Sequence, residues 1–305
     1  MKTKLLLTFL LVAAALPMAA QVNDTYVIPV SGLAPGAFGT QWQTQLSIFN
    51  PQLDYTLRVS MTFIPTGGAR GTEAFVDIPP NAGYLTDNVL KDVFNTSGTG
   101  SLLIATFPED NPKVPNAVLD RSFLVSSNTF NNSRSGTYGQ TIPGIWTGLQ
   151  GDGISAVAHG VRNIASQGWR ANIGAVNLGR SNVTMRVTVY DYDGNTVRSN
   201  MPFILPPLGH LQQQLPVEVD SGSVEFFLDD PSGEAVVFPY VSVIDQISGD
   251  PSYQTPILLA SAKGLYGKKA AAMRTADVGK KLDIEIARGV RANAVRLGAV
   301  FQKAK

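Results

Sequence analysis

Cysteine is absent from all 305 residues, which excludes a disulfide framework, a thiolate metal site and a cysteine-linked lipid. Histidine is nearly absent, with His159 and His210 the only two. A Ser-His-Asp system needs a histidine set between nucleophile and acid, and neither histidine lies in a nucleophile motif. No G-x-S-x-G occurs. Gly148-Leu-Gln-Gly151-Asp-Gly153 has the wrong spacing for a dinucleotide loop, and no βαβ pattern surrounds it. Charged residues make up only 15% of the chain, helical spacing is scarce, and beyond the N-terminus no apolar run is long enough to span a bilayer. These absences point away from an enzyme and leave neither cofactor nor metal expected.

What is present begins with an export pattern. Met1-Lys-Thr-Lys4 is basic, Leu5–Leu16 is apolar, and small residues follow through Ala20, the layout of a secretory signal peptide over residues 1–20. Leu5–Ala20 falls short of the roughly 20 apolar residues of a spanning helix. Cleavage after Ala20 leaves a chain long enough for two domains of roughly 100 to 150 residues. Without disulfides, each must be held by an ordinary hydrophobic core. The expected location is the periplasm, the cell surface or the medium.

The chain then says nearly the same thing twice. Trp42-Gln-Thr-Gln-Leu-Ser-Ile-Phe-Asn50 returns 127 positions later as Trp169-Arg-Ala-Asn-Ile-Gly-Ala-Val-Asn177. In the same order, Ile78-Pro79-Pro80 answers to Leu205-Pro206-Pro207, Gly83 to Gly209, and Gly100-Ser101 to Gly222-Ser223. A period this long is a domain rather than a solenoid unit, whose repeats run to roughly 20–50 residues. Residues shared by both copies read as scaffold, and residues found in one copy only are candidates for function.

Within each copy the pattern is strand after strand. Leu57-Arg-Val-Ser-Met-Thr-Phe63 and Met185-Arg-Val-Thr-Val-Tyr190 alternate apolar with polar, as half-buried strands do. Gly, Pro, Asn and Asp punctuate the runs as turns. The one short helix expected is Thr86–Phe94, with Asp87 or Thr86 as cap. Short strands with turns at roughly 8–12-residue intervals predict antiparallel β-sandwiches, Ig-like in the broad sense although the Cys…Trp…Cys spacing is missing. The expected fold is all-β: two tandem Ig-like sandwiches over 22–143 and 154–259, a Gly-rich linker over 144–153 and a basic tail over 260–305.

Ile173-Gly-Ala-Val-Asn-Leu178, Val187-Thr-Val-Tyr-Asp-Tyr-Asp-Gly194, Leu205-Pro-Pro-Leu-Gly209 and Tyr240-Val-Ser-Val-Ile-Asp245 resemble a group of exported bacterial proteins built from tandem Ig-like sandwiches. Ile28-Pro-Val30, Trp42 and Phe49-Asn-Pro51 resemble the companion module. The resemblance spans roughly 26–257, leaves out the tail, and implies fold and compartment without implying any catalytic or ligand-binding residue.

Few local features remain as sites. Asp191-Tyr-Asp193-Gly194-Asn195 has alternating oxygens, but glycine stands fourth and Pro202 stands twelfth, against the sixth-position Gly and twelfth-position Glu of a calcium loop. Asp193-Gly194 reads instead as a hairpin turn, and Asp229-Asp230-Pro-Ser-Gly233 as another. Trp42 and Trp169 are repeat-equivalent and read as scaffold, whereas Trp146, in the linker, has no counterpart. Tyr190 and Tyr192 are expected to share a strand face near the Asp193-Gly194 tip as a small exposed patch, a platform for stacking a sugar.

Residues 261–305 hold eleven Lys or Arg against three acids, leaving 13 and 20 for the rest of the chain. An acidic body thus carries a basic tail. Two readings stand for it. Lys268, Lys269, Arg274, Lys280, Lys281, Arg288, Arg291 and Arg296 meet an anionic surface peripherally, or the tail is a solvated extension. Nucleic acid is not an expected partner, since the tail has no interleaved aromatics. Three functions follow in order: a non-enzymatic exported interaction or structural protein contacting protein or polysaccharide at the cell surface, a carbohydrate-binding protein using Tyr190, Tyr192 or Trp146, and a hydrolase whose carboxylate pair is not singled out by the sequence.

Overall fold

The computed structural model describes residues 23–36, 39–68, 71–115, 117, 119–133, 136–150, 153–259 and 295–296. The signal segment 1–20 and the basic residues Lys268, Lys269, Arg274, Lys280, Lys281, Arg288 and Arg291 lie outside them.

The protein is all-β and almost wholly antiparallel. Its first half runs β1 (Thr25–Pro35), β2 (Gln41–Asn50), β3 (Leu57–Pro65), β4 (Thr72–Ile78), β5 (Ala82–Thr86), α1 (Val89–Asp92), β6 (Gly98–Ala105), β7 (Leu124–Ser133) and β8 (Gly136–Pro143). After β9 (Leu149–Gln150) come β10 (Ser155–Asn163), β11 (Trp169–Asn177), β12 (Val183–Tyr190), β13 (Thr196–Leu205), β14 (Gly209–Gln214), β15 (Val219–Asp229), β16 (Val236–Asp245), β17 (Pro251–Gln254) and β18 (Ile257–Leu258). The first half pairs in the order β4-β3-β6-β1-β2-β7-β8, with β5 on β2. The second forms two sheets, β13-β12-β15-β10-β18 and β14-β11-β16-β17, with β9 on β16. Raising each first-half strand number by nine reproduces the second-half pairings apart from the short β9 and β18, except that β1 also pairs with β2 at its far end, Leu33–Pro35, and so joins the first half into one bent sheet. The turn of β1 is made at a register shift between Ile28 and Ser31, where an extra residue bends the strand.

Period-two alternation explains most strands. In β12 the alternating Val183, Met185, Val187 and Val189 are buried and meet Ala171, Ile173 and Ala175 of β11 across the second-half core. The equivalent first-half core packs Leu57, Val59 and Met61 of β3 against Leu46 and Ile48 of β2. Asn50 and Asn177 repeat one device. Each fully buried carboxamide donates to three carbonyls (Tyr55, Ile78 and Pro79; Ser181, Leu205 and Pro206) and accepts from the backbone two residues on. The Pro-Pro corners are thus pinned by a side chain, as buried polar groups require.

Two strands break the alternation. β16 is buried at eight consecutive positions, Val236–Val243, and β1 at its first eight, so each is covered on both faces. A third apolar cluster explains it: Val27, Ile64, Leu103 and Phe107 of the first half pack on Val176, Leu178, Val236 and Phe238 of the second. Within the segment 144–153, expected as a linker, residues 145–150 are laced into both halves. Ile145 exchanges two backbone hydrogen bonds with Val27, while Leu149 and Gln150 extend the β16 edge. The helix is shorter than expected. Asn88 caps it by accepting from Lys91 N, Thr86 Oγ1 instead donates to Asp92, and Asn95 ends the turn at φ 48°. Of the tail, Val295–Arg296 (β19) lies parallel on the edge of β4.

Candidate functional site

The outer face of the second-half sheet is where its polar residues gather. Ala171 and Ile173 point into the core, so Arg170 and Asn172, one position out of phase on β11, point the other way. Gly174 continues that face, with Ser242 and Ile244 of β16 and Gln212 of β14 beside it. The first half closes over them with the far end of β1, Trp42 of β2, Thr129 of β7 and Gln140 of β8. A cleft of about 290 Å³ is left at the junction of the two halves, at the small end of ligand sites.

Its floor is held by a relay crossing the junction. Tyr240 is fully buried between His210, 6.0 Å away and nearly parallel, and Tyr253, also stacked at 6.0 Å. The Tyr240 hydroxyl donates to Gln212 Oε1 at 2.8 Å, so His210 Nε2 donates to Tyr240 Oη at 3.0 Å. His210 Nδ1 lies 2.8 Å from Thr66 Oγ1, which also meets Thr99 Oγ1 at 2.8 Å and Thr99 O at 2.9 Å. The tautomer follows from this network. Burial pushes the His210 imidazole down to about 3, so it stays neutral. A Thr66-Gly67-Gly68 turn docks on the same corner, with Gly67 N donating to His210 O at 3.0 Å. His210 is 1% exposed. By register it pairs with Val176 as Gly83 pairs with Phe49, and the first half covers it.

Two cleft amides are committed through their oxygens: Gln212 accepts from Tyr240, and Gln140 Oε1 accepts from Ser242 Oγ at 3.1 Å. The Nε of Arg170 is buried and has no hydrogen-bond partner. Among the described residues no Asp or Glu lines the cleft.

The residues expected to form a site are scattered. Tyr192 is 82% exposed, but Tyr190 is only 6% exposed and its hydroxyl reaches Glu225 Oε2 at 2.8 Å. The strand ends at Tyr190, which keeps regular register with Ser223 of β15 and so lies beside Glu225 on the face opposite Val189 and the core. Alternation therefore does not carry on to Tyr192, and the expected exposed pair does not form. Trp146 is half-buried, edge-on to Tyr26 with ring centroids 6.1 Å apart, and packs on the first-half core. The Asp191 carboxylate is committed to the turn, accepting from Asn195 N at 2.8 Å, and these hydrogen bonds lower its pKa. Among the described residues no group of three His, Asp or Glu could hold a metal ion.

The equivalent tryptophans part company. Trp169 packs on the second-half core beneath Arg162, whose guanidinium carbon lies 5.0 Å from the ring centroid. Trp42 lines the cleft, its indole set tightly over Gly36. Sequence reasoning passed over Arg170, although a signal was there. Arg170 and Asn172 stand inside the repeated Trp motif where the first copy has Gln43 and Gln45, so the difference between copies marks the site.

No family model and no curated protein matches the chain. Solved structures give distant likenesses. An Arthrobacter globiformis T6 isomalto-dextranase in complex with panose is 13% identical with a TM-score of 0.25; the match covers 75% of this chain and 39% of that one. A candidate secreted protein of Parabacteroides distasonis is 11% identical, with 77% and 86% covered and a TM-score of 0.20. A Pleurotus ostreatus lectin in complex with GalNAc is 10% identical, with 78% and 84% covered and a TM-score of 0.15. This chain thus spans about two fifths of the isomalto-dextranase. Scores this low carry no argument for fold or function. Among the described residues no helix is long and apolar enough to cross a membrane.

Proposed function

We propose that the chain is an exported, non-enzymatic binding protein of two tandem Ig-like sandwiches, and that the cleft between them takes a carbohydrate at the cell surface or in the periplasm. The tandem reading is supported by the strand order repeated between halves. Export rests on the N-terminal pattern of basic, apolar and small residues. The observation that carries the site is Arg170: its buried Nε is without a partner in a cleft that also holds Trp42. A buried donor left unpaired costs about 1–3 kcal/mol, a cost that a ligand acceptor removes. Trp42 brings the flat apolar surface on which a sugar ring stacks, and the surrounding amides bring hydrogen bonds for hydroxyls. Hydrolysis has no support from this cleft, since a general acid and a nucleophile or base must be carboxylates beside the bond and none of the described residues lining it is one.

The test is a glycan array probed with the secreted chain and its Trp42→Ala variant. Binding to a saccharide that Trp42→Ala abolishes, with Tyr192→Ala unchanged, is the expected result. Loss on Tyr192→Ala with Trp42→Ala unaffected would move the site to the exposed tip.

A further inference from the structure

We infer that the cleft selects an acidic sugar, a uronate whose carboxylate is received by Arg170 while its ring lies against Trp42. The inference rests on the cleft being the binding site and deepens it by naming the ligand's charge.

The argument is a count of donors and acceptors. Gln140 Oε1 already accepts from Ser242 and Gln212 Oε1 from Tyr240, so what each amide still has to offer a ligand is its NH₂, a donor. Arg170 has only donors, and its Nε is both buried and unpaired. It also forms none of the ion pairs found among the described residues, which are Arg58–Asp77, Arg121–Asp24, Arg162–Asp220 and Arg186–Asp229. With no carboxylate among the described lining residues, the cleft is rich in donors, carries the Arg170 charge and is short of an anion. A guanidinium fork matches a carboxylate bidentately, and the match strengthens in a partly dry site. A neutral sugar fills the volume but leaves the charge unanswered. A free peptide C-terminus has the carboxylate, but its extended backbone offers no ring to the indole.

The junction explains why the site occurs once. On β2, the first-half counterpart of β11, Gln43 and Gln45 reach Asp87 and face solvent. Only the second-half face is roofed by the other domain, and only there does the repeat replace glutamine with arginine.

The experiment is calorimetry on the secreted full-length chain with galacturonate and glucuronate oligosaccharides, their methyl esters, the neutral galacto- and gluco-oligosaccharides, and a short peptide with a free C-terminus. The expected result is that an acid binds at least about tenfold more tightly than its methyl ester, a comparison that needs no variant. Arg170→Gln is expected to remove that preference, and Arg170→Lys to keep part of it. Equal affinity for acid and ester, with binding lost in Trp42→Ala, overturns the carboxylate inference and leaves the cleft reading standing. Tighter binding of the peptide than of any uronate overturns the sugar. Saccharide binding that survives both Trp42→Ala and Arg170→Gln, or no binding to any of these probes, overturns both.

Discussion

The Tyr240 ring lies against the backbone of Gly174, its cross-strand partner, so closely that a Cβ at 174 would come within 2.2 Å of the ring carbon Cζ. Glycine is needed here for space, because a fully buried ring must lie flat to reach both His210 and Gln212. Gly174→Ala is expected to displace the ring and cost about 1–3 kcal/mol, the usual range for overpacking. Gly83→Ala, whose Cβ would meet nothing closer than 3.6 Å, should be nearly neutral. Urea midpoints of the two variants measure the difference.

His210 couples stability to acid. Its folded pKa is pushed down to about 3 by burial, against about 6.5 for an exposed imidazole. Between those values the unfolded chain binds a proton that the folded chain refuses. This part of the stability is therefore complete above about pH 6.5 and is lost as pH falls toward 3, by up to about 1.4 kcal/mol per pH unit. His210→Gln should flatten the slope between about pH 6.5 and 4.5. An unchanged slope in chemical denaturation would show that other groups dominate it.

Asn50 and Asn177 are expected to behave alike. Removing either carboxamide leaves three carbonyls and one backbone N–H at a Pro-Pro corner without their partner. A loss of about 2–4 kcal/mol is expected for each alanine variant. The sites lie in different halves and share no partner, so the double variant should be close to additive. Thermal unfolding of the three variants checks both statements.

Tyr190 and Tyr192 should separate cleanly. Tyr190→Phe removes the hydroxyl that meets the buried Glu225 and should cost about 1–3 kcal/mol. Tyr192→Ala, at an exposed turn, should stay within about 0.5 kcal/mol of the parent. Parallel denaturation curves decide it, and equal losses would contradict the burial of Tyr190 beside Glu225.

Much of the framework is legible without coordinates. Alternation in Met185–Tyr190 marks β12, the Pro-Pro corners and their asparagines recur at fixed offsets, and Asp193-Gly194 marks its turn. These features depend on near neighbours in the chain, and near neighbours are what a sequence displays. Two-faced burial is different. Val236–Val243 reads as an apolar run whichever surface covers its second face, and nothing local says that Phe238 meets Val27 or that Thr66 reaches His210. The expected Tyr190/Tyr192 patch failed for a related reason, since the burial of Tyr190 and its contact with Glu225 depend on the neighbouring strand. Composition, strand periodicity and repetition thus determined the all-β class and the turns, because each follows from steric and solvation rules acting over a few residues. The packing of one half on the other decided which equivalent residues diverge. It roofed Arg170 and Asn172 where Gln43 and Gln45 stay open, and drew Trp42 to a cleft edge. Such contacts join residues more than a hundred positions apart, and only the tertiary structure brings them together.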